Sequence, residues 1–218
     1  TFFILSRDSD TQVTVQSAAT VAHSAEAYTI TRAYNTFQAW EDPCGATPCL
    51  ATSSGGRGGN LVGETRIEIG VAYKDGVFAP TSKVGILGST TDSSYYMGLT
   101  VAVGQRHSGV AGTGVIVDGT SMGAASLSLF HIQDPSFRLE WLEIRNYPGD
   151  TAGGNPVNVE ESVAHGAYLS HLIIHDYTDN ADRGGINIYD DTTVRNSILY
   201  NGPTGIRIYG TDATRVFS

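Results

Sequence analysis

The sequence predicts an all-β fold, a parallel β-helix (solenoid) with one short N-terminal helix, and three observations lead to this prediction. Glycine makes up 26 of the 218 residues, about 12% where roughly 7% is usual, so the composition is poor in helix-forming residues. Short apolar segments closed by glycine are typical of strands too short to stand alone. Two sequence patterns also recur, with a shared period, in the last third of the chain.

Residues 1–60 are predicted to form an irregular N-terminal capping region. Its one helix is predicted from Tyr34 to Glu41, because Tyr34, Phe37 and Trp40 recur at every third position and give the segment an apolar side. Pro43 would end this helix, since proline cannot donate the backbone hydrogen bond that the next turn needs.

The two cysteines of the chain, Cys44 and Cys49, lie in the same predicted loop. Two cysteines are too few for a zinc tetrahedron, and their spacing differs from that of a thioredoxin-like Cys-x-x-Cys motif. We predict a local disulfide, with two reduced loop cysteines as the alternative. A disulfide indicates an oxidising compartment, so the predicted location is extracellular or at the cell surface.

Residues 61–218 are predicted to form the parallel β-helix. Four strand patterns, with apolar cores that begin 15 to 17 residues apart and no helical stretch between them, occupy 66–70, 84–88, 99–104 and 114–119. Strands this short must stack on neighbouring strands. A further repeat begins at Ala213 and breaks off at Ser218, so we expect the helix to be incomplete at its C-terminus.

The two recurring patterns identify the coils. The pattern Leu-x-x-Leu-x-Ile-x-Asn occupies 139–146 and returns at 169–176 and, degraded, at 194–201, while a second pattern occupies 156–159, 185–188 and 205–208. Repeats of 20 to 30 residues whose turns vary in length are typical of successive turns of a parallel β-helix. Alternation then predicts an interior filled by Leu142, Ile144, Leu172, Ile174 and Leu199.

Several segments carry a resemblance to a known group of proteins: Tyr34 to Glu41, Gln105 to Gly109 followed by Gly112 to Gly114, Asn155 to Glu161, and Thr193 to Ser197. Over roughly residues 28 to 218, the chain resembles the right-handed parallel β-helix proteins of the pectate-lyase-like superfamily, especially the secreted and phage-borne proteins of unassigned function. The resemblance implies a right-handed helix. It implies little about activity, because lyases, hydrolases, tailspikes, adhesins and fibres share this fold.

Two outward columns of side chains are predicted on the coils. Arg145, His175 and Tyr200 occupy equivalent positions in one column, and Glu160, Tyr189 and Tyr209 do so in the other. Exposed aromatic rings on a flat sheet can contact sugar rings or another protein chain. The residues predicted to bind carbohydrate or form an interface are Tyr189, Tyr209, Tyr200 and His175, and simple packing between coils is the alternative.

A histidine pair and a group of aspartates suggest further chemistry. His171 and His175 are four residues apart, so on one strand they would share an outward side, and Asp176, Asp179 and Asp182 follow closely. Such carboxylates could bind calcium, and the histidines could transfer protons. The alternative is ordinary turn chemistry, in which Asp and Asn bond to the backbone. No cofactor other than calcium is expected.

Charge and motif content narrow the function. The net charge of −9 argues against nucleic-acid binding, and no apolar run is long enough to span a membrane. The chain contains neither a Gly-x-Ser-x-Gly elbow nor a His-Glu-x-x-His helix. We therefore expect a secreted, non-catalytic surface, fibre or adhesion element; a polysaccharide lyase or glycoside hydrolase is the alternative.

The expected partners are polysaccharide or copies of the chain joined end to end. For the second case, the apolar residues 1–15 could add a strand to the edge of a neighbouring copy. The competing expectation is that this segment pairs within its own chain.

Overall fold

The structure is a computed structural model, and it describes residues 4–7, 12–15, 33–41, 59–122, 128–149, 154–160, 165–178, 184–209 and 215–217. The chain divides into two compact units, Thr1–Asn35 and Thr36–Ser218. In the first unit, strand β1 (Ile4–Arg7) pairs antiparallel with strand β2 (Val13–Val15). The N-terminal strand thus pairs within its own chain.

The second unit is an all-β parallel solenoid, which confirms the predicted fold class. The α-helices in its described residues are short: α1 (Phe37–Glu41), which was predicted, and α2 (Leu61–Glu64), which was not. Its strands are β3 (Glu68–Ala72), β4 (Val84–Ile86), β5 (Met97–Val101), β6 (Val115–Asp118), β7 (Phe130–Ile132), β8 (Arg138–Glu140), β9 (Leu142–Arg145), β10 (Val157–Val159), β11 (Ala167–Ser170), β12 (Ile173–His175), β13 (Ile186–Ile188), β14 (Thr192–Arg195), β15 (Ile198–Tyr200), β16 (Ile206–Ile208) and β17 (Arg215–Phe217). No helix in the described residues is long and apolar enough to cross a membrane.

These strands form three parallel sheets. The first sheet has the order β3-β5-β8-β11-β14-β17, the second β6-β9-β12-β15, and the third β4-β7-β10-β13-β16. In the described part of the chain, strands β5 to β16 therefore make four complete turns, each with one strand in every sheet. Each inner strand of a sheet pairs with the equivalent strands on both sides, and each edge strand pairs with one.

The observed register confirms the repeats that were predicted from the sequence. Leu139 pairs with Leu169, which pairs with Val194, and Ile144 pairs with Ile174, which pairs with Leu199. The predicted interior residues of the middle turns, which are Leu142, Ile144, Leu172 and Ile174, are fully buried. Leu199, in the last complete turn, is only half-buried.

Single residues in the left-handed conformation make the corners on both sides of the second sheet. Trp141, His171 and Asn196 precede the strands of this sheet, and Asn146, Asp176 and Asn201 follow them, all with φ between 48° and 66°. Asn and Asp tolerate this conformation better than other non-glycine residues do. The side chains also bond from coil to coil, since Asn146 Nδ2 donates to Asp118 Oδ2 (2.9 Å) and Asn201 Nδ2 donates to Asp176 Oδ1 (3.1 Å).

Helix α1 covers the first strand of the third sheet. Gln38 Oε1 accepts a hydrogen bond from Gly85 N (2.7 Å) and Glu41 Oε1 accepts one from Leu87 N (3.1 Å), so two side chains take the place of a neighbouring strand. The helix begins at Phe37 rather than at Tyr34, because Thr36 Oγ1 accepts a hydrogen bond from Ala39 N and caps it.

Candidate functional site

The outward side of the second sheet carries two columns of side chains. Asp118, Arg145, His175 and Tyr200 follow one another in register, as the repeats predict for the last three. The neighbouring column consists of Ile116, Glu143, Ile173 and Ile198. Outward positions of a β-helix normally face water, so the burial of a residue in these columns requires a covering segment.

Glu143 is the centre of a buried polar network on this side of the sheet. Its side chain is 0% exposed, and its Oε1 lies 3.1 Å from His175 Nε2 and 3.9 Å from Arg145 Nη1. Its Oε2 accepts a hydrogen bond from Gly112 N. The other ring nitrogen of the histidine, His175 Nδ1, lies 2.7 Å from Asp176 Oδ2. The imidazole is thus held between two carboxylates.

Residues 106–114 are the segment that covers this network. His107 Nε2 donates to His171 O (2.6 Å), and Gly109 N donates to His107 Nδ1 (3.2 Å), so both ring nitrogens of His107 serve to hold the segment in place. Lys74 Nζ also donates to Thr113 O (3.1 Å). In this arrangement Glu143 fastens the segment to the sheet, and the buried His175 lies beside it.

The predicted site residues of the first column, His175 and Tyr200, are only partly exposed. The ring of His175 stacks on the ring of Tyr200, with centroids 4.8 Å apart and planes 3° from parallel. Tyr200 is 40% exposed, whereas His175 is buried. Of this pair, therefore, only the tyrosine faces solvent.

The expectation that His171 and His175 share a strand is wrong. His171 is the corner residue between β11 and β12, with φ 52°, so the alternation on which the expectation relied is broken there. Its ring stacks on Trp141 (3.9 Å), and its Nε2 accepts from Asn196 Nδ2 (3.2 Å). Burial lowers the pKa of His171, although the nearby Glu140 opposes this effect.

Ser170 and His171 are also in contact beside this corner, but the histidine does not activate the serine as a nucleophile. Ser170 Oγ donates to Glu140 Oε1 (3.0 Å) and lies 3.2 Å from His171 Nδ1. Because Ser170 is fully buried and its proton is directed at Glu140, the contact holds the corner together.

Two of the three predicted calcium ligands, Asp179 and Asp182, lie outside the described residues. Asp176 lies in the exposed corner after β12, and the hydrogen bonds from His175 and Asn201 hold its pKa below the usual range. The calcium site stays a prediction. Cys44 and Cys49 also lie outside the described residues, so the disulfide stays a prediction too.

Another group of potential metal ligands occurs in the described residues. One ligand atom each from His165, Asp190 and Asp191 lie within 4.8 Å of one another. His165 Nδ1 and Asp190 Oδ1 are 2.8 Å apart, a distance at which the two side chains hydrogen-bond directly. This contact explains why His165 and Asp190 lie close together without a bound ion.

The outward side of the third sheet combines amides with aromatic rings. One column contains His131, Asn158, Asn187 and Arg207, and the next contains Glu160, Tyr189 and Tyr209. The rings of Tyr189 and Tyr209 stack with centroids 4.2 Å apart and planes 4° from parallel, and Arg207 Cζ lies 4.9 Å from the Tyr209 ring. His131 Nε2 contacts Glu160 Oε2.

Sequence reasoning found the tyrosines of this surface but missed its amides. Asn158 and Asn187 occupy the central positions of the Val-Asn-Val and Ile-Asn-Ile strands, so a polar residue repeated between apolar residues was the available signal. Glu143 was missed because an outward glutamate ordinarily indicates a solvated surface.

No protein-family model, curated protein or solved structure matches this chain. The parallel β-helix is therefore established by the strand pairing itself, and membership of the pectate-lyase-like superfamily stays a prediction.

Proposed function

We propose that this chain is a secreted, non-catalytic β-helix module that adheres to extracellular polysaccharide through the outward side of its third sheet. The observation that carries the proposal is the parallel stack of Tyr189 and Tyr209, with Arg207 beside it. Two stacked rings form a rigid apolar block with phenol hydroxyl groups at its edge, a combination that suits the apolar faces and hydroxyl groups of sugars.

The buried state of the acid–base groups supports a non-catalytic role. A general acid or base must come within hydrogen-bonding distance of the reacting group. Glu143 is closed off by Gly112, and His175 is enclosed by Glu143, Asp176 and Tyr200. A substrate would have to displace Gly112 to reach Glu143, and would have to displace at least one of these three side chains to reach His175.

Covering of the third sheet by α1 favours adhesion over end-to-end assembly. A filament of stacked β-helices needs free strand edges at both ends, and Gln38 and Glu41 already bond to the edge of β4. Sedimentation of the purified protein tests this point: adhesion alone requires no self-association, and filaments that grow with concentration would favour the fibre.

The binding test is affinity electrophoresis through gels that contain a series of neutral and acidic polysaccharides. Tyr209→Ala removes half of the stacked pair. In a gel whose polysaccharide retards the parent protein, this variant should be retarded less, with a rise in Kd of about tenfold. Tyr73→Ala is the matched control, because Tyr73 is 50% exposed and follows β3 in the first sheet. The proposal would be contradicted if both substitutions weakened binding equally, or if no polysaccharide retarded the parent protein.

A polysaccharide lyase or glycoside hydrolase is the second candidate, and the contact of His175 with both Glu143 and Asp176 is the observation that favours it. Its test is the release of unsaturated or reducing sugar ends from the same polysaccharides. Release that is proportional to protein concentration and is abolished by Glu143→Gln would establish the enzyme and overturn the non-catalytic proposal.

A further inference from the structure

Two neighbouring asparagines lie buried on the outward side of the third sheet. Asn158 in β10 pairs in register with Asn187 in β13, and they are 8% and 0% exposed. The oxygen of one amide is satisfied, because Asn187 Oδ1 accepts a hydrogen bond from Gly184 N (2.8 Å). Among the described residues, however, no acceptor bonds to Asn187 Nδ2.

An unsatisfied buried donor is unusual and costs free energy, because the amide has lost its hydrogen bonds to water without replacement. Such an atom points to an acceptor oxygen that the described part of the chain does not supply, either on a ligand or on an ordered water. The place of this amide favours a ligand: Asn187 lies between Asn158 and Arg207 in its column, and Tyr189 is only two residues further along the chain.

The charges around the amides indicate what kind of ligand would fit. An amide can both donate and accept hydrogen bonds, as a sugar hydroxyl can, whereas a carboxylate only accepts. Glu160 contacts His131 in the same sheet, and the buried Asp190 follows β13. These two carboxylates oppose the one guanidinium of the column, Arg207, and the net charge of −9 adds to their repulsion of an acidic sugar.

We propose that Asn158 and Asn187 form a subsite for an uncharged sugar unit, with a sugar oxygen accepting the hydrogen bond of Asn187 Nδ2. This inference rests on the proposed function and names the class of polysaccharide. Asn158, the more exposed amide, meets the sugar at the surface. Arg207, the next side chain of the column, has a flexible stem and moves aside to admit the oxygen to Asn187.

The decisive variant is Asn187→Asp, which keeps an oxygen for Gly184 N and replaces the Nδ2 donor with a carboxylate oxygen that only accepts. The Kd for a neutral polysaccharide that the parent binds should rise about tenfold. Asn158→Leu keeps the branched shape of the side chain and removes its hydrogen-bonding groups. This variant should also weaken binding, and it provides the test if Asn187→Asp does not fold. Asn196→Asp is the matched control, because Asn196 is exposed in a corner next to the second sheet.

The outcomes separate this inference from the proposed function. If Tyr209→Ala weakens binding and both asparagine variants bind like the parent, the subsite is overturned and the proposed function stands. A change in stability without a change in affinity would mean that the amide holds an ordered water only, and it would also overturn the subsite. Equal retention of neutral and acidic polysaccharides would overturn the assigned sugar class. Binding of no polysaccharide by the parent would remove both proposals.

Discussion

Asp134 is a buried carboxyl group whose protonation should affect the stability of the fold. Ser89 N lies 3.1 Å and 3.2 Å from its two carboxylate oxygens. Burial raises the pKa of Asp134 to about 6, although the hydrogen bonds from Ser89 oppose this effect. Since the folded protein binds this proton more tightly than the unfolded chain, the contribution of Asp134 to the free energy of unfolding falls as the pH rises from about 4 to about 6.

Asp134→Asn should therefore stabilise the protein at pH 7.5. The amide keeps an oxygen for Ser89 N and carries no charge, and a pKa difference of this size corresponds to at most about 3 kcal/mol. Urea unfolding at pH 4.5 and pH 7.5 measures the effect. The free energy of unfolding of the parent should fall between these two pH values, and that of the variant should not. A variant with the same pH profile as the parent would contradict the role of Asp134.

Asp118 provides the control of opposite sign. Burial alone would raise its pKa, but hydrogen bonds from Thr120, Arg145 and Asn146 outweigh burial and lower the pKa to about 2. Its stabilising contribution is therefore present above about pH 4 and is lost as the pH falls towards 2. Asp118→Asn should destabilise the protein at pH 7.5, whereas Asp134→Asn should stabilise it.

At the scale of elements, α1 is a short helix that completes a sheet. Phe37 and Trp40 bury the apolar side of the helix, and the ring of Phe37 stacks on Phe78 (4.3 Å). Gln38 and Glu41, on the same five-residue helix, accept hydrogen bonds from the edge of β4. The apolar spacing predicted the helix and its buried side, but its polar contacts join residues more than forty positions apart and could not be read from a local pattern.

Gln38→Leu should destabilise the protein by about 1–3 kcal/mol. It replaces the amide with an apolar side chain of comparable size and leaves the buried Gly85 N–H without an acceptor. Hydrogen exchange gives a local measurement, because the Gly85 amide should exchange faster while the amides of β13, three strands away in the same sheet, keep their protection. Unchanged exchange at Gly85 would show that the glutamine does not cap the strand.

The corners show how far the sequence predicts the turns of the coils. Asn146, Asp176 and Asn201 were identified as one turn from their positions in the repeat, and their shared left-handed conformation agrees with that prediction. Trp141 and His171 were not recognised as corners, because bulky residues rarely adopt positive φ. At these positions the strands on either side impose the conformation.

The solenoid as a whole should respond to mutations according to the turn that they affect, because each turn contacts only its neighbours. Leu169 is fully buried between Leu139 and Val194, so Leu169→Ala should cost about 2–5 kcal/mol. The same substitution at the half-buried Leu199 should cost about 1 kcal/mol. Urea unfolding of both variants provides the comparison, and equal losses would contradict a core that is less buried at its last complete turn.

The sequence by itself determined the coil repeat and its register. Alternation and turn chemistry act between residues close together in the chain, so they can be recognised in the patterns 139–146 and 169–176. Only the tertiary structure decided which outward residues are covered. Gly112 covers Glu143, although the two residues are 31 positions apart in the sequence. The residues that flank the buried Asn187 in its column also belong to strands of other turns. Such contacts depend on where turns of different length place their atoms, and no local pattern contains that information.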